Sequence, residues 1–182
     1  MKKLLFSVLF IASAGLALVG CSNGDYSSSP GSGGINPLNP TGGIDNTFGW
    51  MGNDPMTLEW NGNAWKADDI YLEEVVNNDK MWAVQGINYS GDTTACIVMF
   101  QKSVEAGKSY FLFYGNTDQT AYFTTKLSDY EHIYTSSLGS IGEVKILEHD
   151  ESHIKGLFYF LAKSATNGQY LNVQKGYFNV HK

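Results

Sequence analysis

The sequence predicts an all-β domain, an antiparallel sandwich or barrel-like fold of about eight or nine strands, preceded by a disordered tether. Three observations carry that expectation. All four prolines lie at or before position 55, at Pro30, Pro37, Pro40 and Pro55. Beyond it, short aromatic and β-branched runs alternate with turn residues. No segment repeats its apolar residues at the helical period.

The first element is a hairpin. Leu58-Glu59-Trp60 and Asn63-Ala64-Trp65 flank Asn61-Gly62, a dipeptide that tolerates the positive φ of a two-residue turn. Further strands are expected over 70–76, 81–89, 94–101, 109–114, 121–127, 141–147, 154–162 and 170–180. The breaks between them carry Asn77-Asn78-Asp79, Ser90-Gly91-Asp92, Ala106-Gly107, Gly115-Asn116, residues 149–153 and Asn167-Gly168, all favoured in turns. The run 96–100 is apolar at every position, so both of its faces should be covered. In the last strand Leu171 and Val173 share one parity while Phe178 and Val180 share the other. One strand presents both pairs to one core only after a slip, which predicts a bulge near Lys175-Gly176. A sheet of about nine strands must also fold over itself.

The N-terminus reads as an export signal. Lys2 and Lys3 precede an apolar run that ends in Leu18-Val19-Gly20-Cys21. The apolar stretch alone would suit a membrane-spanning helix, but its ending looks like a lipobox, in which the cysteine takes a diacylglyceryl group and becomes the new terminus. Residues 1–20 are therefore expected to be removed, and the acylated Cys21 to hold the protein on a bilayer by more than one chain. Ser22 replaces the Asp that retains such proteins in an inner membrane, which points to the outer membrane, at its periplasmic face or the cell surface. Residues 21–55, rich in Ser, Gly and Pro, read as a flexible spacer, and 56–182 as the domain. Within the spacer, 44–50 carries Phe48 and Trp50, so its end is expected to dock on the domain.

Charge narrows the function. The formal net charge is −6, and loss of Lys2 and Lys3 with the leader moves it to −8. All twelve cationic Lys/Arg positions are lysines. Without arginine's bidentate fork, an acidic chain is a poor partner for nucleic acid. Cys96 is the only cysteine besides Cys21, so no internal disulfide is expected, and its apolar neighbours favour packing over reactivity.

The stretches Gly142-Glu143-Val144-Lys145-Ile146, Ile154-Lys155-Gly156-Leu157-Phe158-Tyr159-Phe160 and Gly176-Tyr177-Phe178-Asn179, with Asp150 between them, resemble the closing portion of an uncharacterised Bacteroidota-type lipoprotein domain family. Asn61-Gly62-Asn63-Ala64-Trp65-Lys66-Ala67 resembles that family's NGxxWxA opening. The resemblance spans nearly all of 56–182. It implies an envelope location and a β fold, and it brings no catalytic residues.

Two groups of side chains are candidate sites. His149-Asp150-Glu151-Ser152-His153 places two imidazoles and two carboxylates in five residues, making His149, Asp150 and His153 the weak candidates for a metal. The same residues are what a polar hairpin tip would contain, and imidazoles four apart converge poorly on a tight turn. Aromatic content is the stronger lead, because flat rings stack on sugars and on apolar ligands. Trp60, Trp65, Trp82 and Tyr177 are the candidate binding residues. No serine sits in a nucleophile elbow and no calcium-loop spacing occurs. The expected function is thus a membrane-anchored, non-enzymatic binding or structural module without a cofactor. Its partner would be a glycan or an envelope protein; a glycan-binding accessory lipoprotein and a metal-dependent hydrolase are the alternatives.

Overall fold

The computed structural model describes residues 54–76, 78–112, 119–136, 142–164 and 166–182. The chain divides into Met1–Leu38 and Asn39–Lys182, and every described residue falls in the second unit. The leader, Cys21 and the spacer through residue 53, with its stretch 44–50, lie outside the described residues.

Eleven strands form: β1 (Met56–Trp60), β2 (Asn63–Lys66), β3 (Asp69–Val75), β4 (Asn78–Asn88), β5 (Thr94–Gln101), β6 (Ser109–Phe111), β7 (Thr120–Thr124), β8 (Ile133–Thr135), β9 (Gly142–His149), β10 (His153–Ser164) and β11 (Tyr170–His181). A 3-10 turn at Tyr130–His132 precedes β8. Nine strands make one antiparallel sheet in the order β2-β1-β11-β10-β8-β7-β5-β4-β3, curled into a half-barrel. The remaining two branch from it at β10, inside the order. β10 is twelve residues long, so β9 pairs with its first part (154–160) while β8 pairs at Lys163 and Ser164, and β6 then pairs β9.

The two ends of the strand order, β2 and β3, are separated in sequence only by Ala67 and Asp68. The Ala67 N–H donates to the Met56 carbonyl of β1 (3.0 Å), and the next N–H, of Asp68, donates to the Ile87 carbonyl of β4 (2.8 Å). The chain thus changes partners within one peptide, and that corner curls the sheet. Gly86 of β4 lies against it. A Cβ there would collide with Met56 Sδ and come within 3.1 Å of both Ala67 Cβ and the Trp65 ring. Small residues at 67 and 86 let three strands meet at the corner.

The predicted hairpin forms on Asn61 (φ 47°) and Gly62 (φ 83°), the sign pattern of a type I′ turn. β11 holds that turn in place: Asn61 N–H donates to the Asn172 carbonyl, and Asn172 N–H donates to Asn61 Oδ1, each at 3.0 Å. The bulge also forms. Phe158 faces Gly176 and Phe160 faces Val173, so two steps along β10 match three along β11. Lys175 takes the extra position with φ 53°. Leu171, Val173, Phe178 and Val180 consequently share one core.

That core is filled by phenyl rings. Phe100, Phe123, Phe158, Phe160 and Phe178 are fully buried, and Phe178 packs on Phe100 and Phe158 at centroid distances of 5.9 and 6.2 Å. Glycines make the room. A Cβ on Gly156 would lie 2.5 Å from Phe178 Cζ, and one on Gly176 equally close to the Phe158 ring. Both faces of 96–100 are covered, as expected, with Cys96, Val98 and Phe100 in the main core and Ile97 and Met99 buried on the opposite face. Burial pushes the Cys96 thiol well above its ordinary pKa, which suits a packing group.

Candidate functional site

The aromatic residues singled out from sequence do not gather on one surface. Trp65 is 7% exposed, edge-on to Phe123, and its indole N–H donates to Thr94 Oγ1 at 2.7 Å. Trp60 is half-buried and tilts over the same Phe123 ring (5.7 Å). Trp82 packs on the core with the Lys102 ammonium 4.4 Å above its ring, and that ammonium also pairs with Glu74. Tyr177 is 5% exposed and packs with Leu157 in a small cluster on the outer face of β10 and β11. Of the four candidate binding residues, Trp65 and Tyr177 are thus buried, while Trp60 and Trp82 are only partly so. An indole buries readily once its N–H has an acceptor, and Thr94 is that acceptor.

The histidine cluster is a braced turn. Asp150 Oδ1 accepts from the Ser152 N–H (2.7 Å), the Ser152 hydroxyl (2.7 Å) and the His153 N–H (3.0 Å). Those hydrogen bonds, the Ser152 hydroxyl first, hold the Asp150 carboxyl well below the usual carboxylate range. His153 lies between two carboxylates, with Nε2 2.9 Å from Glu148 and Nδ1 3.0 Å from Asp150, and the Glu148 contact raises its pKa. His149 looks elsewhere, its Nδ1 lying 2.8 Å from the Val104 carbonyl. Among the described residues no group of three or more His, Cys, Asp or Glu side chains is placed to hold a metal ion.

The outward concavity forms on β3, which the candidate residues from sequence did not include. β3 ends the strand order and pairs only with β4. Along it Ile70 and Leu72 pack against the core, while Asp69, Tyr71 and Glu73 alternate to the exposed side. Across from them lie Pro55 and the end of β11, where Asn179 N–H donates to the Pro55 carbonyl (2.8 Å). Between the two runs is a half-open cleft of about 450 Å³. Its apolar wall is Ile70, Leu72 and Val180, and its polar rim is Glu73, Asn179 and His181, with Tyr71 beside them.

Two features distinguish this rim. Tyr71 and Tyr89 are 41% and 51% exposed, among the few large apolar side chains so open to solvent. The Tyr71 hydroxyl donates to Asp69 Oδ2 (3.3 Å), and the Tyr89 pKa is pushed up to about 12, first by desolvation of its hydroxyl and then by Tyr71 and Asp69. Asp68 fixes the backbone beneath, accepting the Tyr89 N–H at 2.7 Å. The second feature is an orphan pair. Asn179 Oδ1, in the cleft rim, and Thr57 Oγ1, on the neighbouring strand, are buried without a hydrogen-bond partner. The sequence signal for the rim was the alternation Asp69-Ile70-Tyr71-Leu72-Glu73, which sends Tyr71 outward.

A family model for DUF6252, a domain of unknown function, matches residues 54–180. The chain belongs to that family. The match covers the DUF6252 fold from Pro55 at the cleft to Val180 at its far wall. No curated protein and no solved structure matches the chain.

Proposed function

We propose that this DUF6252 chain is a lipid-anchored binding module of the cell envelope, cut before Cys21, acylated there, and carried on the spacer 21–55. The Leu18-Val19-Gly20-Cys21 ending and the resemblance to a Bacteroidota-type lipoprotein family support the anchor, and Ser22 supports the outer membrane. The observation that carries binding rather than catalysis is the division of labour in the fold. The interior is packed with phenyl rings, while the β3 rim holds exposed tyrosines around a half-open cleft. Ligands meet such a molecule on its outside.

The anchor is tested by mass spectrometry of the N-terminal peptide, which should begin at an acylated Cys21. Cys21→Ser should give an uncut precursor; an unchanged mature form on the membrane would refute the anchor. The non-enzymatic half is tested by titrating zinc while following Tm, since a ligand of the native state raises it by mass action. No shift is expected at micromolar zinc. A rise of several degrees, lost when His149→Ala and His153→Ala are combined, would restore the hydrolase reading.

A further inference from the structure

We propose that the β3 rim is a saccharide site, with Tyr71 and Tyr89 as the stacking platform and the adjoining cleft receiving a neutral, hydroxyl-rich glycan chain. This deepens the binding-module reading and rests on it.

Three properties converge on that ligand. The first is ring geometry. Tyr71 on β3 and Tyr89 just past the end of β4 are 41% and 51% exposed; the Tyr71 hydroxyl donates to Asp69, and the Tyr89 N–H to the neighbouring Asp68. A ring held by its polar end loses little freedom when a flat apolar sugar face covers it. The second is the balance of hydrogen-bonding groups. Glu73, Asn179 and His181 line the cleft together. Carboxylate, amide and imidazole groups on one rim match sugar hydroxyls, each of which both donates and accepts. The third is charge. Asp68, Asp69 and Glu73 lie along one short stretch, on a chain of net charge −6. Uronic or sulfated glycans would meet repulsion there, so the ligand is uncharged.

The test uses the full lipidated chain in detergent micelles, run through native gels containing one polysaccharide each. Neutral probes are an α-glucan, a β-glucan, a mannan and a xylan; polygalacturonate and heparin are the anionic counterparts. At least one neutral polymer should retard the wild type, and neither anionic polymer should. Tyr71→Ala and Tyr89→Ala should each weaken retardation at least about tenfold, a loss near 1.4 kcal/mol. Tyr71→Phe, which keeps the ring, should stay within about threefold of wild type, and Glu73→Gln should fall between, all with wild-type melting curves. Retardation by no neutral polymer, by the anionic ones, or equally in the Tyr71→Ala, Tyr89→Ala double variant would overturn the inference. So would selection of linear peptides from a displayed library that bind wild type and lose Tyr71→Ala, since the edge of β3 would then be taking a strand. The acyl mass at Cys21, read on the same preparation, separates the two proposals. A lipidated chain that ignores every sugar sinks the saccharide class and leaves the anchored module standing.

Discussion

The interior and the β3 rim use aromatic side chains in opposite ways. Inside, Phe158, Phe160 and Phe178 sit ring against ring, with Gly142, Gly156 and Gly176 supplying space that any side chain would fill. At the rim, Tyr71 and Tyr89 stay exposed, the first bonded through its hydroxyl to Asp69 and the second through its backbone N–H to Asp68. A filled half-barrel leaves recognition to its outside, and the hydroxyl is what lets a ring remain there. Among the described residues the aromatic side chains thus include a buried set that fills the core and an exposed set at the surface.

The contrast is broken most directly by truncating one ring from each population. Phe178→Ala should cost about 3–5 kcal/mol in urea unfolding, because it empties a site shared by Phe100 and Phe158. Tyr71→Ala should stay within about 0.5 kcal/mol of wild type. Gly156→Ala tests the same interior by overfilling it, with an expected loss of about 1–3 kcal/mol, since the new methyl meets both the Phe178 ring and the Lys145 backbone. Equal costs at 71 and 178 would show that the rim is structural after all.

Elements whose causes are local were legible in the sequence. The Asn61-Gly62 hairpin follows from two residues that tolerate positive φ, and β5 from an unbroken apolar run. The bulge was legible from parity alone, because Val173 and Phe178 could not otherwise face one core. β8 was not legible. Its three residues are held by β7, across the intervening 3-10 turn, and by β10, two strands further along the chain. β7 ends at Thr124 and not near Leu127, because the Thr125 N–H turns to His132 and the Leu127 N–H to Thr93. Site residues failed for the same reason. Trp65 is buried through an acceptor 29 positions away, and Tyr177 through Leu157 on another strand. Ring identity is in the sequence; which face a ring shows is decided by distant partners.

A finer cut separates core packing from backbone geometry at the bulge. Lys175 has φ 53°, where a β-carbon is crowded, and its ammonium pairs with Glu59 Oε2 at 2.8 Å, the contact that lowers the Glu59 pKa. Lys175→Ala loses the pair and keeps the crowding, so it should destabilise by about 1 kcal/mol. Lys175→Gly loses the same pair and relieves the crowding. It should be the more stable of the two variants by about 1 kcal/mol. If Lys175→Gly is instead the less stable, the positive φ carries no strain and the pair alone holds the bulge.

The smallest effect expected is at the β9–β10 turn, where pH replaces mutation as the probe. A neutral imidazole has one N–H, yet His153 has a carboxylate at each ring nitrogen, so the charged form fits both contacts. Lys155, paired with Glu148 at 3.0 Å, and the His181 ring, 6.5 Å away, face the same group, and Lys182 reaches the Asp150 carbonyl. The folded pKa of His153 lies above its unfolded value, so its contribution is complete below about pH 6.5 and fades as pH rises through the raised value. Glu148 and Asp150 act in the other direction. Their pKa values are lowered, so their contribution is present above about pH 4 and is lost on further acidification. The turn is tightest between those limits. Tm should therefore fall slightly between pH 6 and pH 8 in wild type, and the His153→Gln variant should show a flatter profile across the same range. Parallel profiles would mean that folding leaves the His153 pKa unshifted, so that its carboxylate contacts do not favour the charged ring.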